Sequence, residues 1–119
     1  MRKIILFLTI SIFTLFVNVS CNKKENITTQ PPVANTVDVS ILAMSYSPAT
    51  VTVARGTIVK WTNTSGSPHT VTADNNTTFN SPTLAPGNMF SVTTATVGTF
   101  PYHCLIHGIS MSGTLEVTN

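Results

Sequence analysis

The sequence predicts an all-β domain over residues 37–119, a two-sheet antiparallel sandwich of about seven short strands, with a small barrel as the second architecture. Three observations predict it. Apolar residues alternate with polar ones at period two, as a strand with one buried face requires. The runs are rich in Val, Thr, Ile and aromatics. Turn signals separate them at short intervals, and no stretch after residue 20 keeps a long helical period.

The elements follow in order. Val37, Val39 and Ile41 alternate and start the domain. Similar runs span Thr50–Ala54, Thr57–Thr62, His69–Ala73, Met89–Thr94, Gly98–Cys104 and Gly113–Thr118. Between them, Ser47-Pro48, Arg55-Gly56, Ser65–Pro68, Asp74–Asn76 and Ala85–Gly87 read as turns or loops. Trp61 shares its strand phase with Val59 and is expected to fill the core, together with Phe79, Phe90 and Phe100.

At 119 residues the chain has room for one such domain. Residues 1–20 carry Arg2 and Lys3 ahead of an apolar run from Ile4 to Val17, the pattern of a secretory signal and too short for a stable bilayer span. The run ends at Ser20-Cys21, which resembles a bacterial lipoprotein processing site, although Asn18 stands where an apolar residue is usual. Cys21 is then the expected lipid-bearing residue. Its alternative is a disulfide with Cys104, the other of the two cysteines. Residues 21–36 are polar and include Pro31 and Pro32, so they are expected to tether lipid to domain. Beyond residue 20, Lys23, Lys24, Arg55 and Lys60 balance Glu25, Asp38, Asp74 and Glu116. A formally neutral chain without a basic cluster lacks the footprint that nucleic-acid binding needs.

The chemistry concentrates between Tyr102 and Gly113, where YHCLIHGISMSG holds a thiol, two imidazoles and a thioether. If that segment folds tightly, Cys104, His107 and Met111 can close on one metal ion. Thiolate and imidazole suit copper or zinc, and the weak thioether donor favours copper. A second imidazole must come from elsewhere. His103 neighbours Cys104 in a strand, so alternation sends the two side chains to opposite faces and His103 is read as an exposed strand residue. His69, behind Pro68 at the mouth of a strand, is the expected partner.

The ordered set of His69, then Cys104-x-x-His107-x-x-x-Met111, resembles the small blue copper proteins, or cupredoxins, and is closest in pattern to the plastocyanin, amicyanin and pseudoazurin group. The matching pieces are YSPATVTVARGTIVKWTN, PHTVTAD, GTFPYHC and HGISMSGTLEV, which cover nearly all of the domain. Two departures stand out. Three residues separate His107 from Met111, where amicyanin-like loops commonly have two and plastocyanin-like loops four. Thr70 stands after the first ligand histidine where Asn is frequent, and its hydroxyl is expected to bond across to the loop bearing Cys104.

The resemblance implies a Greek-key β-sandwich with one copper ion at one end, held by His69, Cys104, His107 and a distant Met111. It implies a carrier of single electrons that meets redox proteins in transient contacts, and together with the processing-site pattern at Cys21 the expectation is a monomer anchored through lipid in the bacterial cell envelope. His107 would be the electron port, amid Ile106, Ile109, Pro86 and Leu84. Two other functions use the same ligands: a copper acceptor or storage protein without turnover, and a copper enzyme. The enzymes with cupredoxin domains need further coppers and typically a histidine directly after the cysteine, where this chain has Leu105. The expectation is therefore a carrier and not an enzyme.

Overall fold

The computed structural model describes residues 34–119, and the signal, lipidation and tether assignments at residues 1–33 lie outside them. Among the described residues eight strands form: β1 (Thr36–Ile41), β2 (Tyr46–Ser47), β3 (Thr50–Ala54), β4 (Ile58–Asn63), β5 (Thr72–Ala73), β6 (Met89–Thr93), β7 (Gly98–Cys104) and β8 (Gly108–Thr118). They make two four-stranded sheets, ordered β2-β1-β4-β6 and β3-β8-β7-β5. The all-β sandwich expected from the alternation is what forms.

The sheets are not purely antiparallel. β1 runs parallel to β4, pairing Thr36 with Ile58 through Ile41 with Asn63, and β3 runs parallel to β8. The cause is a change of sheet in mid-chain. After β1 the chain turns back as β2 in the same sheet, passes Pro48 and Ala49, and continues as β3 in the other. β4 then returns to lie beside β1 in the same direction. Asp38 and Lys60 face each other across this parallel pair and form an exposed ion pair at 2.7 Å, the class of contact worth about 0–1 kcal/mol.

The alternating residues supply the core. Val51 and Val53 of β3, Val59 and Trp61 of β4, and Leu115 and Val117 of β8 are buried, while their strand neighbours are less so. Trp61 is fully enclosed and packs against Phe79, Phe90 and Tyr102 with ring centroids 5.6, 6.1 and 5.6 Å away. Phe79 is buried as expected, whereas Phe90 and Phe100 are half-buried and seal the core's margin. The polar ends of the aromatics are satisfied. Trp61 Nε1 donates to Tyr102 Oη at 3.2 Å, and Tyr46 Oη donates to the Thr70 carbonyl at 2.6 Å. Among the described residues no buried side-chain nitrogen or oxygen lacks a partner.

Two glycines are dictated by geometry. Gly56 turns the chain from β3 to β4 at a φ of 90°, which other residues adopt only with strain. Gly113 lies opposite Tyr102 in the β7–β8 pair, and a Cβ there would sit 2.4 Å from the ring carbon Cζ. Glycine lets the phenol lie flat over β8 and reach Trp61.

Candidate copper centre

The site is assembled from two places in the chain. Cys104 ends β7, and Leu105, Ile106 and His107 form the tight turn into β8. A turn that short brings the His107 ring back over the cysteine, with Nδ1 3.5 Å from Cys104 Sγ. His69 comes from the segment ahead of β5, where it forms a bridge with Leu84 through backbone bonds of 3.1 and 2.8 Å. Its Nδ1 lies 3.7 Å from the same sulfur. One donor atom from each of His69, Cys104 and His107 therefore falls within a 4.8 Å cluster, and the two imidazole rings stand 4.9 Å apart.

Cys104 is a free thiol, and it and His69 are fully buried, while His107 is half-buried. Burial, with the neighbouring His107 ring second, holds His69 below the ordinary imidazole range. The ring is thus neutral, the form in which a nitrogen lone pair is open to a metal.

Met111 lies on a strand, although the close spacing of the motif suggested one continuous loop. It belongs to the buried face of β8, in phase with Gly113, Leu115 and Val117. The register of the β7–β8 pair explains its position. His103 pairs with Ser112, so an unbroken ladder would set Cys104 opposite Met111. The register instead shifts there and Cys104 pairs with Gly108, so Ile109, Ser110 and Met111 are looped out of the ladder beside the cysteine. Irregularities of this kind re-aim side chains next to functional sites. Of the three residues between His107 and Met111, Gly108 pairs with Cys104 and Ile109 and Ser110 lie in the irregularity.

Around the donors, Thr70 N–H points to Cys104 Sγ at 3.4 Å, and the Leu105 amide donates to Thr70 Oγ1 at 2.8 Å. The expected hydroxyl bridge from Thr70 to the cysteine loop is present. His103 is half-buried and not simply exposed, with its Nδ1 on Asp74 Oδ1 at 2.6 Å, away from the cluster.

The surface around His107 departs from expectation at one residue. Leu84 is 3% exposed because its backbone pairs with His69 and its side chain joins the core, so it cannot belong to an outer patch. Leu105 belongs there instead: it is 61% exposed beside Ile106 at 48% and Ile109 at 84%. Ser65, which the sequence offered only as part of a loop, bonds to the far side of the His69 ring.

The donor set fits copper: a thiolate former, two imidazole nitrogens facing it, and a thioether in the adjacent irregular strand. Comparison with known proteins agrees. Residues 33–118 match the family described as copper binding proteins, plastocyanin/azurin family. The chain belongs to this family. It is also 34% identical over 86 residues to a plastocyanin of Scenedesmus fuscus, covering 63% of this chain and 88% of the relative. Among solved structures, this cupredoxin superposes on a purple cupredoxin from Nitrosopumilus maritimus with a TM-score of 0.63 and 29% identity, over 69% of this chain and 99% of that one. An amicyanin variant in its reduced form gives a TM-score of 0.64 at 26% identity, over 71% of this chain and 83% of the other. A copper-containing nitrite reductase from Thermus scotoductus shares the fold at 21% identity, but this chain corresponds to only 22% of it.

Proposed function

We propose that this cupredoxin carries single electrons between redox proteins of the bacterial cell envelope, and that His69, Cys104 and His107 would hold one type 1 copper ion with Met111 as a further, weaker donor. The observation that carries the reading is the convergence of His69 Nδ1, Cys104 Sγ and His107 Nδ1 from two separate segments into one 4.8 Å cluster. Bound copper supplies a one-electron couple that compromises between the soft, low coordination of copper(I) and the tetragonal preference of copper(II).

The protein's part is to hold that compromise still. His69 is fixed by its bridge to Leu84, and Cys104 by β7 and the Thr70 amide. Such a frame demands little movement on gaining or losing an electron. His107 is the half-buried member, and the exposed side chains of Leu105, Ile106 and Ile109 sit around it in sequence. An exposed apolar rim suits brief, weak docking. The sequence of residues 1–21 supports export and lipid anchoring through Cys21.

A carrier fits better than an enzyme. The sequence has three histidines, two are in the cluster and the third is engaged with Asp74, which leaves no imidazole for a second copper. Voltammetry and stopped-flow mixing with a small redox protein test the proposal. A carrier gives a reversible one-electron wave and rapid exchange. A protein that retains copper(I) tightly and exchanges no electrons is an acceptor, and the carrier reading fails.

A further inference from the structure

We infer that the hydroxyl of Ser65 is a positioning group for the copper centre: it fixes the tautomer and ring plane of His69, and so decides which nitrogen faces Cys104. The inference rests on the copper reading above for its consequence, but its structural content is independent of it.

The hydrogen-bond inventory of the loop after β4 assigns the role. Ser65 Oγ lies 2.9 Å from His69 Nε2. The same oxygen receives the Ser67 N–H at 3.2 Å and sits 2.8 Å from Asn63 Oδ1 and 3.0 Å from the Ser67 carbonyl. Both of those oxygens are acceptors only, so a proton turned to Nε2 would leave Ser65 Oγ facing two oxygens at 2.8 and 3.0 Å with no hydrogen between, and a proton directed to one of them relieves that repulsion. Ser65 Oγ then has one lone pair left, and it faces Nε2. In that arrangement His69 carries its proton on Nε2, which leaves the Nδ1 lone pair directed to the cluster with Cys104 and His107.

Ser65 is itself held. Asn63 Oδ1 accepts from Ser65 N–H at 3.0 Å, while Asn63 Nδ2 donates to the Ser67 and Leu84 carbonyls at 2.7 and 2.8 Å. Asn63 is buried at the end of β4, and Leu84 is the residue whose backbone bridges His69. One buried amide thus ties the loop that carries Ser65 to the segment that holds the histidine's backbone. Ring and backbone are set from opposite sides by the same small network. Partners of this kind orient a ligand imidazole and raise its basicity, and their loss typically costs 10–100-fold in metal affinity.

The test compares the purified protein with Ser65→Ala and Ser65→Thr. In the copper-free state, nitrogen-15 NMR of the imidazoles reads the tautomer. Wild type is expected to show His69 protonated on Nε2 alone. Ser65→Ala is expected to show a tautomer mixture and about 10–100-fold weaker uptake of copper(II), with a shifted thiolate charge-transfer band, while Ser65→Thr restores all three. A wild-type His69 protonated on Nδ1 overturns the inference without any variant. So does a Ser65→Ala protein that loses thermal stability while its tautomer, copper affinity and spectrum stay unchanged. Failure of the copper reading looks different: wild type would then develop no thiolate band with copper(II), and the tautomer measurement would still judge Ser65.

Discussion

Thr70 and Cys104, 34 residues apart in the chain, are joined by a backbone N–H that points at the cysteine sulfur from 3.4 Å. The same threonine accepts the amide of Leu105 on its hydroxyl at 2.8 Å, so one residue braces the sulfur and the turn that follows it. The site is thus built by cross-bracing between the segment of His69 and the hairpin of Cys104, and each brace can be cut separately.

Thr70→Val keeps the shape of the side chain and removes the oxygen. The part-buried Leu105 amide loses its acceptor, and Thr72 Oγ1, 3.2 Å away, loses a neighbour. The expected cost is about 1–3 kcal/mol, the penalty for leaving a buried donor unmet. Denaturant midpoints measure it, and hydrogen exchange at Leu105 locates it. Undiminished protection of that amide would show that the hydroxyl does not hold the turn.

Gly113→Ala places a methyl group against the Tyr102 ring, whose Cζ and Oη lie 2.4 and 2.5 Å from the new carbon. The ring is fixed by the Trp61 bond and by edge contact with Tyr46 at 4.8 Å, so it cannot swing clear without breaking the core network. Overpacking of this kind costs about 1–3 kcal/mol. Trp61 is the sole tryptophan, and its fluorescence should report the lost partner. An unchanged spectrum and stability would mean that the sheets separate easily here.

Tyr46 and Tyr102 are the only tyrosines in the sequence, and both are buried. Desolvation raises both phenols above the ordinary range; for Tyr46 the charge of Cys104 adds to it, and for Tyr102 the bond from Trp61 acts weakly the other way. The fold keeps protons that the unfolded chain releases near pH 10. This contribution to stability is fully present below that pH and falls as pH rises beyond it. Ultraviolet titration should therefore show no tyrosinate until the protein unfolds, and both rings should then ionise together. Phenolate appearing near pH 10 in folded protein would contradict the enclosed core.

Much of this was legible in the sequence, and the reasons for the rest are physical. The alternation in Thr50–Ala54 and Ile58–Asn63 encodes which side chains are inside, and the structure buries those residues. Alternation carries no information on which strand pairs with which or in what direction, so the parallel pairs β1–β4 and β3–β8 could not be read from it. β2 has two residues, too few to show a period. The run His69–Ala73 was expected to be a strand throughout, but only Thr72–Ala73 is. Its five residues are all buried, and His69 and Val71 bond to the Leu84 and Ser81 segment in place of a neighbouring strand.

At the site, Cys104, His107 and His69 were legible because thiols and imidazoles are scarce in this chain. His103 was separable because strand alternation applies to β7. Ser65 was not, since a serine between asparagine and glycine looks like any turn until the fold brings it to a histidine. Leu84 was misplaced because a leucine before Ala85-Pro86-Gly87 reads equally well as loop surface or as core.

Whether Cys104 binds copper as a thiolate is decided by the visible and electron paramagnetic resonance spectrum of the oxidised, copper-loaded protein, alongside Cys104→Ser. An intense blue or green thiolate-to-copper(II) band is expected in wild type, absent from Cys104→Ser and persisting in His103→Ala. Wild-type protein that binds copper(II) and stays colourless would contradict thiolate binding.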